Sequence, residues 1–231
     1  MFYIDPLYLI LVGPPFLLTF WAQLRVHTTF SMFSRMPSTV ELTGAEVARL
    51  ILRKNSIHDV EVEEGTGRVW SVYHLRRKLL CLSPNIYHDR SLTSMGVAAH
   101  EAAHAIQHAH GYGALRIRQG IAPAAILGSN LAILLFLVGV ILGALNLVKA
   151  GGIAFFLMVS FQVITLPVEL NASKRARLLL TRYGLVSSPE LEGVDQVLSA
   201  AAWTYVAAAL MGIFQLFSLR SGLIGAKPRN R

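Results

Sequence analysis

Two histidines four residues apart, with a glutamate beside the first, are the residues of this chain best suited to chemistry: His100-Glu101-Ala102-Ala103-His104. On a helix, positions i and i+4 share a face one turn apart, about 6 Å along the axis. Both imidazoles can then grip a single Zn²⁺ while Glu101 reaches a water molecule and takes its proton, the arrangement of a zinc metallopeptidase. The flanks suit a helix. Gly96-Val97-Ala98-Ala99 leads in and Ala105-Ile106-Gln107 leads out, without proline. Asp89 and Ser91 are N-cap candidates and Gly111 and Gly113 can end the helix, which is expected over about Leu92 to Ala109.

A catalytic zinc takes three protein ligands and leaves one position open. His108 lies on the same helical face, but eight residues put it about 12 Å from His100, too far to share an ion with bonds near 2.0 Å. It is read as a residue beside the ligands or the substrate. Glu169 is the better candidate, being the only acidic residue between Ile121 and Leu170 and standing at the end of an apolar stretch. An ionisable group there is costly without a partner. The competing reading pairs it with a nearby base such as Lys174. The small residues Ala172 and Ala176, four apart, favour the ligand role because they let another helix approach closely. Ser173, one turn beyond Glu169, can orient a ligand histidine through its second ring nitrogen.

The elements that must position these groups are largely apolar. Of 231 residues, 54% are apolar and 15% charged, low charge for a soluble domain. Pro6–Leu24, Gln119–Val148, Ala150–Val168 and Gln196–Leu219 contain no charged residue, and each is long enough to cross a hydrocarbon core of about 30 Å. Spans are expected near 6–24, 121–148, 151–168 and 198–219, with a tight turn at Lys149-Ala150-Gly151-Gly152. The first block follows Asp5 with no basic residue before it, unlike a cleaved signal peptide, and reads as a retained anchor that Pro14 and Pro15 kink. Arg25, Arg35, Arg116, Arg118, Lys174, Arg175, Arg177 and Arg182 flank the blocks, which marks that side as cytoplasmic. The net charge of +8 comes with no basic run interleaved with aromatics, so a lipid bilayer is the expected partner and nucleic acid is not. The single cysteine, Cys81, excludes an intramolecular disulfide and reads as a packed core thiol.

Residues 25–118 form the extended polar segment. Thr43-Gly44-Ala45-Glu46 reads as a capping box. Val60–Val62, Arg68–Tyr73 and Lys78–Leu82 read as strands, the first two paired as a hairpin across Gly65-Thr66-Gly67. The expected fold is a mainly α integral membrane protein with a small β-sheet: a zincin-like catalytic domain joined to a helical transmembrane bundle. Its parts are an N-terminal anchor (1–24), a zincin-like domain (25–118), a transmembrane hairpin (119–168), a third-ligand helix and connector (169–197), a transmembrane helix (198–219) and a basic tail (220–231). Two spans return the chain to the side it left, so the polar domain and the segment from Glu169 onward share a face. Four spans place the tail opposite, where Arg220, Lys227, Arg229 and Arg231 conflict with the positive-inside rule.

The run from Gly96 to His108 resembles the active-site helix of the bacterial YugP-like neutral zinc metallopeptidases, and Leu166-Pro167-Val168-Glu169-Leu170-Asn171-Ala172-Ser173-Lys174-Arg175-Ala176 resembles that family's second block. Leu82-Ser83-Pro84-Asn85-Ile86-Tyr87 and Arg90-Ser91 resemble its lead-in. The resemblance covers most of the chain and implies a membrane-embedded zinc peptidase, multi-pass in a bacterial inner membrane. A remoter likeness is to the HtpX and CAAX-prenyl proteases, gluzincins that follow the glutamate three residues on with alanine and then aspartate. Here Ser173 stands in that aspartate's place, and Val72-Tyr73-His74-Leu75 departs from the family's acidic His-Tyr-Asp run.

The expected function is a zinc-dependent endopeptidase, with His100, His104 and Glu169 holding one Zn²⁺ and Glu101 as general base, acting on a peptide or membrane-protein substrate with its site on the cytoplasmic face. Tyr183 or His108 is available to stabilise the oxyanion. One alternative is an intramembrane site-2-type protease, which adds a distant aspartate; the only later one is Asp195. The other is a non-catalytic zinc-binding membrane scaffold. The oligomeric state is left open.

Overall fold

The computed structural model describes residues 2–4, 6–66, 71–220 and 224–226. In chain order the elements are β1 (Phe2–Ile4), α1 (Pro6–Phe33), α2 (Gly44–Lys54), β2 (Glu61–Glu64), β3 (Val72–His74), β4 (Leu79–Leu82), α3 (Pro84–His88), α4 (Leu92–Ala109), α5 (Gly113–Ile141), α6 (Leu145–Arg182), α7 (Ser188–Arg220) and β5 (Ile224–Ala226). The protein is mainly helical with a small sheet, as the sequence leads one to expect. It divides into two compact units, one of residues 23–116 and 168–203, the other of residues 1–22, 117–167 and 204–231.

In the first unit α2 starts at the expected capping box: Thr43 Oγ1 accepts from the Glu46 N–H at 3.2 Å, and Glu46 accepts from the Thr43 N–H at 2.8 Å. Its apolar face buries Val47, Ile51 and Leu52 in the core cluster that also holds Leu80, Leu82, Met95 and Leu180. The sheet order is β2-β4-β3, with β2 parallel and β3 antiparallel to β4. Among the described residues the expected hairpin between the first two strands therefore does not form; residues 68–70 of its second strand lie outside the described residues. The reason is packing. Leu79-Leu80-Cys81-Leu82 is the apolar strand and takes the centre, with Leu80 and Leu82 fully buried, while β2 keeps Glu61, Glu63 and Glu64 exposed at an edge. β3 and β4 are joined by a short loop that Lys78 closes in the left-handed region, φ 51°. Cys81 alternates with Leu80 and Leu82, so it is half-buried on the opposite face rather than packed in the core.

In the second unit the apolar stretches behave differently from a soluble core. α1, α5, α6 and α7 are long and apolar enough to cross a membrane, and only 17–33% of the residues in their apolar stretches are buried. Large side chains such as Leu9, Ile10, Leu17, Ile133 and Ile141 face outward. α1 is continuous through Pro14 and Pro15. The turn between α5 and α6 is not at Lys149–Gly152 but at 142–144, where Gly143 adopts φ 62° and the Ala144 N–H caps Gly139 O at 2.8 Å. Gly151 instead lies inside α6 at the helix contact. A Cβ there would stand 2.8 Å from Phe136 N and 3.0 Å from Ala132 O. Gly151 thus serves close helix approach, not the turn. Beyond α7, β5 pairs antiparallel with β1. Of the basic tail, residues 221–223 and 227–231 lie outside the described residues.

Candidate metal centre

α4 spans the expected Leu92–Ala109, and Ser91 is its cap, its Oγ accepting from the Ser94 N–H at 3.2 Å. Asp89 instead ends α3. Gly111, with φ 63°, follows the His110 C-cap. One face of α4 packs Met95, Ala98, Ala99, Ala102, Ala105 and Ile106 into the core. The adjacent face carries His100 and His104 toward α6, which presents Glu169. The buried alanines Ala172 and Ala176 line that part of α6.

His100 Nε2 lies 3.1 Å from Glu169 Oε2, His104 Nε2 lies 3.5 Å from the same oxygen, and the two Nε2 atoms are 3.1 Å apart. Bonds of 2.0–2.1 Å from a tetrahedral zinc would set neighbouring donor atoms about 3.3–3.4 Å apart. The three distances, 3.1, 3.5 and 3.1 Å, bracket that spacing, and two imidazoles with one carboxylate form a donor set suited to zinc. Among the described residues these three are the group of histidine, cysteine and acidic side chains that could hold a metal ion. Glu169, the reading's least local member, is 2% exposed and its carboxylate meets both histidines.

The supporting residues are equally specific. Ser173 Oγ is 3.2 Å from His100 Nδ1, so the ring's other nitrogen faces Glu169. Glu101 is 9% exposed, and burial pushes its carboxyl above the ordinary carboxylate range, against the opposing pull of His104 and His100. His108 does not join the cluster. Its Nδ1 is 2.9 Å from the hydroxyl of Tyr73, a buried tyrosine whose pKa is raised to about 12, chiefly by burial. Tyr183 follows α6, about 20 Å along the axis from Glu169, and accepts from Asn55 Nδ2 at 3.2 Å. It is not part of the site. Asp195 pairs with Arg177 at 3.0 Å.

Sequence reasoning passed over Gln107. It is fully buried, its Oε1 is 3.0 Å from His104 Nδ1, and its Nε2 donates to Val168 O and Asn171 Oδ1. The available signal was a lone amide three residues after a ligand candidate, in an otherwise apolar run of helix.

Residues 8–222 match the family model described as "Putative neutral zinc metallopeptidase". The chain belongs to this family. It is also 45% identical over 213 residues, 92% of this chain and 95% of the relative, to "Putative membrane protease YugP" of Bacillus subtilis (strain 168). No solved structure matches it significantly. The family's description names zinc and peptide hydrolysis, and the cluster on α4 and α6 has the donor set for that metal.

Proposed function

We propose that this protein is a membrane-embedded, zinc-dependent endopeptidase of the gluzincin type, with His100, His104 and Glu169 as metal ligands and Glu101 as general base. The observation that carries the reading is the convergence of two imidazole nitrogens and one carboxylate oxygen at 3.1–3.5 Å, with the carboxylate drawn from a helix far along the chain. Zinc held there supplies a Lewis acid that polarises the scissile carbonyl and acidifies water. Glu101, next to a ligand on the same helix, accepts the proton of the attacking water at its carboxylate and returns it to the departing amide nitrogen. β3 is an edge strand with β4 as its partner, so an extended peptide can add to its free side beside Glu101. With Tyr183 remote, His108 is the remaining oxyanion candidate.

A site-2-type arrangement is disfavoured because Asp195 is engaged by Arg177. A scaffold has no use for a buried glutamate held beside the donor set. Four apolar helices support a multi-pass placement, and the pairing of β1 with β5 supports an even number of spans, since it brings both ends of the chain together. The basic flanks support a catalytic face on the cytoplasmic side of a bacterial inner membrane. The deciding experiment measures zinc content and peptide hydrolysis of the purified protein beside Glu101→Gln. Stoichiometric zinc with hydrolysis only in the parent is the expected result. Hydrolysis that survives the substitution would overturn the mechanism.

A further inference from the structure

The donors and acceptors around Gln107 form a chain whose two ends leave no freedom of assignment. At one end, Val168 O is a backbone carbonyl and can only accept; it lies 3.0 Å from the Gln107 amide, so the atom facing it is Nε2. At the other, Arg175 Nε can only donate; it lies 2.8 Å from the Asn171 side chain, so that atom is Oδ1. The same Oδ1 accepts the second Gln107 N–H at 2.9 Å. The Gln107 oxygen is therefore the atom turned to His104, 3.0 Å from Nδ1, and Nδ1 must carry a hydrogen. In the neutral ring this leaves the lone pair on Nε2, the atom that faces His100 Nε2 and Glu169 Oε2.

The contacts have a second consequence. Val168 and Asn171 bracket Glu169 on α6, so one side chain of α4 both orients His104 and grips the turn that carries the carboxylate. Gln107 is fully buried, and a buried amide is costly unless every polar atom is paired. An apolar residue would fill this place more cheaply if packing were its only role.

We propose that Gln107 is a positioning residue of the metal centre: through its amide it fixes the His104 tautomer and holds the Glu169 turn against α4. The inference rests on the reading of His100, His104 and Glu169 as the zinc site. Removing an outer partner of a metal-bound histidine weakens metal binding by about 10–100-fold. Gln107→Met keeps length and apolar volume but neither accepts from His104 nor donates to α6. Gln107→Glu keeps the acceptor for His104 and loses the donors to Val168 and Asn171.

The test uses the full chain in detergent micelles, stripped of metal, with zinc affinity measured by competition against a chromophoric chelator and the metal-free unfolding midpoint recorded alongside. Gln107→Met should weaken zinc binding by about 10–100-fold, and Gln107→Glu should recover at least about tenfold of that loss while having the lower metal-free midpoint. This crossing of the two readouts is what a packing role alone cannot produce. Zinc binding by Gln107→Met equal to the parent's would overturn the inference. So would losses of affinity in both variants that simply track their midpoints. Should the methionine variant not fold, Gln107→Glu decides alone: zinc binding retained despite a lowered midpoint supports the role, and binding lost in step with the midpoint refutes it. Failure of the parent to bind zinc, or binding by His100→Ala as tight as the parent's, would instead bring down the underlying site.

Discussion

At the scale of single residues, the proposed centre assigns ion binding to His100, His104 and Glu169 and proton transfer to Glu101. Glu101→Gln removes the base and leaves the donor set, so zinc should stay bound while peptide hydrolysis falls by about 10²–10⁴-fold, measured as single-turnover cleavage of a fluorogenic peptide. Glu169 and His108 make a sharper contrast. Glu169→Ala deletes a carboxylate 3.1 Å from His100 Nε2 and should lower zinc affinity strongly, whereas His108→Ala breaks a bond to Tyr73 and should leave most of it. Equilibrium dialysis against zinc checks both, and the reverse order of effects would refute the ligand assignment. His100 and His104 were legible in the sequence because helical spacing is a local property. Glu169 was legible only as an isolated carboxylate at the end of an apolar run. Gln107 was legible only as a lone amide near a ligand candidate, and the role of Asn171 was not legible, since the bond that joins the two crosses more than sixty positions of the chain.

At the scale of elements, caps and contacts decide where helices begin and how near they come. The bonds from Thr43, the backbone one foremost, hold the Glu46 carboxyl below its ordinary 4.5. A carboxyl depressed in the folded state stabilises the protein at pH above its unfolded value, and that contribution is lost as pH falls through the lower folded value. Thr43→Ala should cost about 1 kcal/mol near neutral pH, and the difference from the parent should shrink in acid, as read by chemical denaturation at several pH values. Between α5 and α6, Gly151→Val would force a side chain against Phe136 N and Ala132 O, where backbone cannot yield as a flexible side chain would. A loss of about 1–3 kcal/mol is expected, seen as a lower thermal midpoint in micelles. The position of this turn shows why small residues mislead: glycines in Lys149–Gly152 look like a break, yet a glycine at a helix contact carries the same local signature. The left-handed Gly143 makes the turn because it ends α5 with capped carbonyls, and the choice between the two glycine sites depends on which helix faces meet.

At the scale of the whole molecule, the membrane topology carries its own prediction. In a Cys81→Ser background, Glu63→Cys and Ser188→Cys should react with an impermeant thiol reagent from one side of sealed vesicles, and Leu142→Cys from the other. Glu63 and Ser188 reacting from opposite sides would defeat the span count. The sequence by itself determined what depends on neighbours along the chain: the capped α2, the limits of α4 with its histidine pair and base, the four apolar helices and the family they belong to. These follow from spacing, capping and hydropathy, which act over a few turns. The tertiary structure alone decided the strand order, with β4 drawn to the centre because it is the apolar strand, and the place of the α5–α6 turn. It also decided that Glu169 meets His100 and His104, and that Gln107 meets Val168 and Asn171, across more than sixty positions of the chain. Such pairings are selected by burial and by the pairing of buried polar atoms, forces that operate between elements and leave no periodic trace in any one of them.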